Sequence, residues 1–404
     1  MVDFGRIVGH SIDSDAAGVV PGRTRRVAVR SRFFVTALLF VGILALTASM
    51  ARAGERLRIS AREISDPAEF AVVGPGGALD TKRGRLLVFG QGIDPEANRL
   101  GPAVLMALSL RDNTWTALKT TGAASRGLGH PGLTYVASED ALYLFGGWPS
   151  GDPAPLAELW RLNLSQEPLQ WTQLPMSPEW PPARNGMVFV ADEPRGRLLL
   201  HGGDGGPHPK YGFTPLDDLW AFDLKGQSWS RVAAQGDAPA PRWNHSAAID
   251  PAGGKLYVYG GAGYVLSPAP KQVADTNVHT LDLTTNVWSR SPDMDRSPRP
   301  VEGTSLTYDS EADALVLVGG LALDKQGTPG ISRVYCFDLK RKKWVRTKEI
   351  LDKKRRDHVG VYDPDGKRHV IFGGQSVVEE GNFYKPGIPF ADAVDVIVKR
   401  TQSD

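Results

Sequence analysis

The sequence predicts an all-β fold, a β-propeller of six blades with four antiparallel strands in each blade. Three observations indicate it: a short apolar phrase ending in glycine returns six times, its spacing is nearly constant, and other markers return around it in fixed order. Such a period is typical of repeat architectures, in which each unit buries its apolar face against the next. The phrases are RLLVFGQG (85–92), ALYLFGG (141–147), RLLLHGG (197–203), KLYVYGG (255–261), ALVLVGG (314–320) and HVIFGG (369–374).

The first glycines of these phrases fall at residues 90, 146, 202, 260, 319 and 373, so successive units are 56, 56, 58, 59 and 54 residues apart. A glycine pair suits the end of a strand where the backbone needs positive φ or approaches a neighbour closely. In the first unit the pair is interrupted as Gly90-Gln91-Gly92. We therefore expect blade one to bend differently at this point.

Each unit carries further markers. A turn with arginine precedes the apolar phrase, a variable loop follows it, and then come an aromatic strand and a strand with tryptophan. These short β-branched and aromatic runs, separated by Gly, Pro, Asn and Asp, predict four strands per unit. The arginine turns are SRGLGH (125–130), ARNG (183–186), PRWNHS (241–246), PRPVEG (298–303) and RRDHVG (355–360). The tryptophans are Trp115, Trp171, Trp229, Trp288 and Trp344.

The sixth unit ends at its third strand, AVDVIVKR (393–400), and lacks a tryptophan strand. The segment RLRISAREI (56–64) precedes the first unit and reads as a strand. We expect it to complete the last blade, which would close the ring and remove exposed sheet edges.

This order of markers resembles the kelch repeat, whose signature is an arginine turn, a double glycine, an aromatic strand ending in Asp and a spaced Trp. The resemblance covers roughly residues 57–400 and identifies the chain as a member of the kelch-repeat β-propeller family, within the galactose oxidase-like superfamily and of an exported bacterial type. It implies that the arginine turns and the loops after the glycines share one face around the central channel.

The N-terminus indicates export. A basic run, RTRRVAVRSR (23–32), precedes the apolar run 33–48, and Ala51 and Ala53 form an A-x-A-like cleavage site. Residues 1–53 therefore read as an extension with a signal peptide or membrane anchor, and 54–404 as the propeller. We expect a periplasmic or extracellular monomer that meets the membrane only through an uncleaved 33–48. The net charge of +2 and the single cysteine predict neither nucleic-acid binding nor an internal disulfide.

Variable loops on one rim of a rigid scaffold are where binding normally occurs. The repeated arginines Arg126, Arg184, Arg242, Arg299 and Arg356 have two interpretations: a positive ring for carboxylates, or bonds inside each blade. Their neighbours that do not repeat are better candidates, as are the loop aromatics, which suit sugars or peptides. The candidate binding residues are Arg184, Asn185, Arg242, Trp243, Asn244, His245, Arg299, Glu302, Arg356, Asp357, His358, Trp148, Tyr211 and Tyr264.

Two functions from different classes fit these features. The first is a binding module for a glycan, peptide or protein, with no metal and no cofactor. The second is a sugar mutarotase similar to the kelch sialic-acid mutarotases, with Glu302 or His245 as the acid–base group and Arg242 or Arg299 as the carboxylate clamp. The copper oxidases of this family use a tyrosine cross-linked to a cysteine beside the copper ion. The single cysteine of this chain, Cys336, lies in the third strand of its blade, away from the channel, so the resemblance does not extend to these enzymes.

Overall fold

The computed structural model describes residues 56–65, 71–94, 99–122, 127–210, 212–265, 271–272, 275–294, 297–324, 330–380 and 383–401. They form six four-stranded antiparallel blades arranged in a ring, which confirms the predicted propeller. These residues contain no α-helix and one 3-10 helix, Glu193–Arg195. The propeller lies within the unit Ala53–Asp404. The predicted signal or anchor lies outside the described residues.

The strands form four layers from the channel outward, each layer taking one strand from every blade. The innermost strands are Val72–Asp80, Gly132–Val136, Val188–Asp192, Ser246–Asp250, Ser305–Asp309 and Val359–Asp363. The second strands are Arg85–Asp94, Ala141–Phe145, Arg197–Asp204, Lys255–Tyr259, Ala314–Val318 and Arg368–Phe372. The third strands are Arg99–Ser109, Leu159–Asn163, Pro215–Asp223, His279–Asp282, Arg333–Asp338 and Ala393–Thr401. The outer strands are Trp115–Leu118, Leu169–Gln173, Ser228–Arg231, Val287–Arg290, Lys343–Ile350 and, in blade six, Arg56–Glu63.

Short strands add to this frame. Two of them, Thr120–Thr121 and Gln235–Gly236, pair in parallel with the outer strands of blades two and four. The others form two-stranded ribbons of two kinds. Some ribbons pair the turn before an inner strand with the segment after a glycine pair, and others lie within a single loop after a glycine pair. The ribbons are Leu128–Gly129 with Trp148–Pro149, Tyr264–Val265 with Lys271–Gln272, Val301–Glu302 with Leu321–Ala322, and Gln375–Glu380 with Phe383–Pro389.

The ring closes through the N-terminal strand, as predicted. Arg56–Glu63 pairs antiparallel with Ala393–Thr401, from Arg56 opposite Thr401 to Glu63 opposite Val394. This pairing covers the outer edge of the last blade with backbone hydrogen bonds.

The core consists of six apolar clusters, one between each pair of neighbouring blades. Tryptophans of the outer strands pack on the preceding blade, beside the residue before its glycine pair. Trp171 meets Phe89 at 5.6 Å between ring centroids, and Trp344 meets Tyr259 at 5.0 Å. In blade six, Ala61 and Val318 belong to the same cluster, so the closing strand joins the core with small side chains.

Blade one differs at its glycines, as expected. Both glycines have positive φ in the other five blades, for example 61° at Gly146 and 95° at Gly147. In blade one the second strand instead continues to Asp94, with a register shift between Gln91 and Ile93.

Candidate functional site

A ring of six residues surrounds one end of the central channel, and we call it the mouth ring. Each member has positive φ, which ranges from 49° at Gly74 and Asn244 to 62° at Gly303. Each member from the second blade onward donates its backbone N–H to the carbonyl of the member in the preceding blade. The first of these bonds joins His130 N to Gly74 O at 2.7 Å, and the last joins Asp357 N to Gly303 O at 2.8 Å. The members are Gly74, His130, Gly186, Asn244, Gly303 and Asp357.

The mouth ring alternates glycine with a residue that has a side chain, because the side chains occupy the space beside the glycines. A Cβ on Gly186 would lie 2.4 Å from Asn244 Oδ1, and a Cβ on Gly303 would lie 2.5 Å from Asp357 Oδ1. The ring thus presents three side chains, His130, Asn244 and Asp357, held by a rigid backbone.

Two residues before the mouth ring, three blades carry a buried arginine: Arg184, Arg242 and Arg355, each at most 1% exposed. Each guanidinium binds the carbonyl of its own blade's first glycine, as Arg242 does at Gly260 (2.8 Å). Each also binds an aspartate near the start of the third strand. The structural interpretation therefore holds for Arg184 and Arg242.

The predicted set of equivalent arginines needs correction. In blades two to five, the second glycine of the pair donates its N–H to a backbone carbonyl of the next blade, and these bonds define equivalent positions. The acceptors of Gly147, Gly203, Gly261 and Gly320 are, in this order, Arg184, Arg242, Val301 and Arg355. Arg299 and Arg356 are therefore not equivalents of Arg184, because blade five has valine there and blade six has the preceding arginine. Arg126 lies outside the described residues.

In blade six Arg355 binds the glycine carbonyl, and Arg356 instead belongs to a polar group that we call the mouth cluster. Its members are Asn244, Glu302, Arg356, Asp357 and Gln375. Arg356 Nη1 lies 3.6 Å from Glu302 Oε1, and its Nε lies 3.3 Å from Asp357 Oδ2. Gln375 Nε2 donates to Asp357 Oδ2 at 2.8 Å. Four of these five residues were predicted; the cluster draws on blades four, five and six and has no repeat in the others.

Glu302 is the titratable centre of the mouth cluster. Its side chain is 12% exposed. Burial and the neighbouring Asp357 carboxylate raise the pKa of Glu302 to about 7, while Arg356 and a hydrogen bond with Asn244 act in the opposite direction. This carboxyl group is therefore poised to change its charge near neutral pH.

His245 and His358 follow the mouth ring and point between blades. His245 Nε2 lies 3.0 Å from His201 Nδ1, and His358 Nε2 lies 3.0 Å from Ser305 Oγ. Burial lowers the pKa of His358 to about 3 and that of His245 well below its ordinary value. Both imidazoles are neutral at physiological pH.

The remaining polar candidates lie apart from the mouth cluster. Asn185 forms a bridge with Asp204, the residue after blade three's glycine pair. Arg299 pairs with Asp324 at the edge of blade five, and both side chains are more than a quarter exposed.

Among the aromatic candidates, Trp243 lies beside the mouth ring and stacks on Phe213, with centroids 5.0 Å apart and planes at 26°. Trp148 pairs with Gly129 in a ribbon and donates its indole N–H to Asp152 O. Tyr264 pairs with Gln272 through its backbone. Tyr211 lies outside the described residues. Trp180, a further loop tryptophan, is partly buried and packs against Trp229 of the cluster between blades two and three.

In the described part of the chain, cavities of about 130, 180 and 360 Å³ lie along the channel. The one at the mouth ring measures 130 Å³ and is lined by Asn244, His245, Asp357 and His358 among others. The 360 Å³ cavity is lined largely by apolar side chains, including Leu133, Phe189 and Ile249. The cavity at the mouth ring thus differs from the 360 Å³ cavity in its buried polar side chains.

Sequence reasoning missed Gln375 and the role of Arg355. A signal for both exists: every mouth-ring residue stands sixteen positions before the first glycine of its blade, as Asp357 does before Gly373. The spacing to the glycines places Arg355, and not Arg356, in register with Arg184. Counting forward eighteen from Asp357 reaches Gln375.

Within the described ranges, no helix is long and apolar enough to cross a membrane. The same residues include no group of three His, Cys, Asp or Glu side chains placed to hold a metal ion.

Comparison with known proteins agrees with this geometry. Residues 132–374, more than half of the chain, match the family model described as the KLHDC2/KLHL20/DRC7 Kelch-repeats domain. The chain is similar in structure to the chain titled "Structure of YjhT", with a TM-score of 0.60 and 16% identity over 83% of this chain and 99% of that one.

Curated relatives match about half of the chain. Acyl-CoA-binding domain-containing protein 4 of Arabidopsis thaliana is 33% identical over 51% of this chain and 28% of its own length. Kelch domain-containing protein 10 of Rattus norvegicus is 26% identical over 52% of this chain and 49% of its own length. The chain thus spans less than half the length of these relatives. The family match, the six blades and the repeated markers agree, and the chain belongs to the kelch-repeat family.

Proposed function

We propose that this propeller is a binding module that recognises a glycan, peptide or protein through the face that carries the mouth ring. The kelch propeller is a rigid scaffold with loops on one rim, an arrangement suited to interaction. The observation that carries the proposal is the mouth cluster, because its side chains break the symmetry of the ring. Trp243 and Phe213 add aromatic surface beside it.

The test compares the two faces of the propeller. Trp243→Ala and Gln375→Ala change the mouth face, whereas Lys367→Ala changes an exposed residue in the turn at the opposite end of blade six. A panel of sugars and peptides is screened by thermal shift, since a ligand of the folded state raises Tm. Lysate proteins retained on the propeller are identified in parallel. Binding that survives both mouth variants and is lost in Lys367→Ala would refute the proposal.

One observation favours a mutarotase as the second candidate: the pKa of Glu302 is raised to about 7, which suits a general acid–base group. The other predicted roles have less support. Arg242 is fully buried and engaged with Asp275, and His245 Nε2 faces His201. Arg356, 3.6 Å from Glu302, is the better placed clamp. Anomer exchange of sialic acid, followed by proton NMR with the native chain and Glu302→Gln, tests this reading; equal rates would exclude it.

We also propose that the propeller acts outside the cytoplasm. The support is the basic run 23–32, the apolar run 33–48 and the small residues at 51 and 53. Mass spectrometry of the protein recovered from outside the cytoplasm should find a chain that begins at Gly54. An intact N-terminus on a membrane-bound chain would indicate an anchor instead.

A further inference from the structure

The cavity at the mouth ring is lined on one side by buried polar side chains. Asp357, whose side chain is 3% exposed, lines it together with Asn244. Two imidazoles line it as well, since His245 is 6% and His358 7% exposed. In both, Nε2 is engaged and Nδ1 has no hydrogen-bond partner within the described part of the chain. A neutral imidazole carries a single N–H, so each of these Nδ1 atoms is an unused donor or an unused acceptor according to its tautomer.

When Glu302 is ionised, the mouth cluster carries two negative charges and one positive charge. Within the described residues, Glu302 and Asp357 have one cationic partner in common, Arg356, which lies 3.6 Å from the first carboxylate and 3.3 Å from the second. Charge-assisted N–H···O bonds are normally about 2.7–2.9 Å long. The Arg356 guanidinium therefore lies between the two carboxylates and is farther from each than a charge-assisted hydrogen bond requires. Its Nε–H has no hydrogen-bond partner in the described chain.

We infer that the mouth cavity receives an organic cation, a guanidinium or primary ammonium group such as a basic side chain of a bound peptide. The inference rests on the proposed binding function and names the chemistry of its ligand. A cation with several N–H donors would bind the Asp357 carboxylate from the cavity and balance the second negative charge of the cluster. An organic cation fits better than a metal ion, because the described side chains include no group of three ligands close enough for a metal.

Aromatic surface beside the cluster suits the same ligand. Trp243 directly precedes Asn244 in the mouth ring and stacks on Phe213, which is 46% exposed. Cations are attracted to the faces of tryptophan and phenylalanine rings. A basic side chain that enters the cavity would pass close to this pair.

The bound cation should exchange with a proton. Three groups act on Glu302: Asp357 and Arg356 from blade six, and Asn244 from blade four. At pH 6 the Glu302 carboxyl group is mostly protonated and leaves Arg356 to Asp357, so a cation that enters the cavity must compete with Arg356 for that carboxylate. Binding should therefore weaken as the pH falls below 7, which is the direction opposite to that expected for an anionic ligand.

The experiment uses fluorescein-labelled, C-terminally amidated hexapeptides of glycine and serine with one central arginine, citrulline or glutamate. Fluorescence anisotropy gives their affinities for the propeller at pH 8 and pH 6. We expect the arginine peptide to bind about tenfold more tightly than the citrulline peptide at pH 8 and to lose about tenfold in affinity at pH 6. Glu302→Gln should remove the pH effect, whereas Glu311→Gln, an exposed carboxylate at the opposite end of blade five, should not.

Three results would overturn the inference. Equal binding of the arginine and citrulline peptides, or tightest binding of the glutamate peptide, excludes a cation site. If Trp243→Ala abolishes that binding, the proposed binding function of the mouth face is retained without the cation site. Absence of binding by all three peptides at millimolar concentration also rejects the cation site. The binding function itself fails only if the face test described above fails too.

Discussion

At the scale of single residues, the charged groups of this propeller divide into those that hold blades together and those that the fold leaves at the channel mouth. Arg184, Arg242 and Arg355 are buried and each binds a carbonyl and a carboxylate of its own blade. A buried guanidinium with such partners is costly to disrupt, since its removal leaves a buried carboxylate unpaired.

Replacement of these arginines should therefore separate structural from surface roles. We expect Arg184→Met to lower the free energy of unfolding by about 3 kcal/mol, because it leaves Asp218 without its main partner. Arg299→Met removes a pair that is more than a quarter exposed and should cost less than about 1 kcal/mol. Urea unfolding followed by circular dichroism measures both. Equal losses would contradict the assignment of Arg184 as structural.

Glu302 predicts how stability depends on pH. Its pKa is raised from 4.5 to about 7, so the unfolded chain loses this proton before the folded chain does. The contribution of Glu302 to stability is therefore most favourable below pH 4.5 and declines as the pH rises through 7. Relative to the native chain, Glu302→Gln should gain about 2–3 kcal/mol between pH 4.5 and pH 8. A difference that does not change with pH, as expected for Glu311→Gln, would show that Glu302 is not shifted.

At the scale of elements, the turn that begins each inner strand is the part of the blade where structure and candidate function meet. Backbone bonds between neighbouring turns form the mouth ring, and side chains fit only where the preceding member is glycine. The repeat thus determines where each mouth-ring residue lies. Whether that residue is glycine or a polar residue determines which side chains line the channel mouth.

A glycine comparison tests this packing. Gly84 and Gly303 have similar φ, 58° and 62°, but a Cβ at Gly84 meets nothing within 4 Å, whereas one at Gly303 lies 2.5 Å from Asp357 Oδ1. Gly84→Ala should cost about 1 kcal/mol, for the left-handed backbone alone. Gly303→Ala should cost about 1–2 kcal/mol more, because Asp357 must move. Thermal unfolding measures both; if Asp357→Ala does not reduce the excess cost, the alternation has another cause.

At the scale of the whole molecule, closure of the ring depends on the strand Arg56–Glu63. It supplies the outer strand of blade six and half-buried Leu57, Ile59 and Ala61 to the cluster between blades five and six. Unlike the other junctions, this one has no tryptophan among its described residues, so its stability comes from the backbone ladder and aliphatic side chains.

Removal of that strand should open the ring. We expect a chain that begins at Asp66 to be less stable than one that begins at Gly54 by about 3–5 kcal/mol, from the lost apolar burial. It should also aggregate, because the edge of Ala393–Thr401 becomes exposed. Calorimetry and size-exclusion chromatography compare the two chains. Identical Tm values would show that blade six does not need its fourth strand.

Much of the fold follows from the sequence alone. The glycine phrases mark six blades, the order of markers gives four strands in each, and the truncated sixth unit implies the closing strand near residues 56–64. These conclusions succeed because a blade is a local unit whose strands follow one another in the chain, so short patterns of apolar residues, glycine and tryptophan determine them.

The candidate site was decided by tertiary structure. The alignment of Arg299 and Arg356 with Arg184 was wrong because similar letters do not fix the register, whereas hydrogen bonds between blades do. Gln375 was missed because it reaches Asp357 from a different segment of its blade. Sequence periodicity describes what each blade repeats. The mouth cluster depends on how side chains from different blades meet across the ring, and only the closed ring brings them within reach of one another.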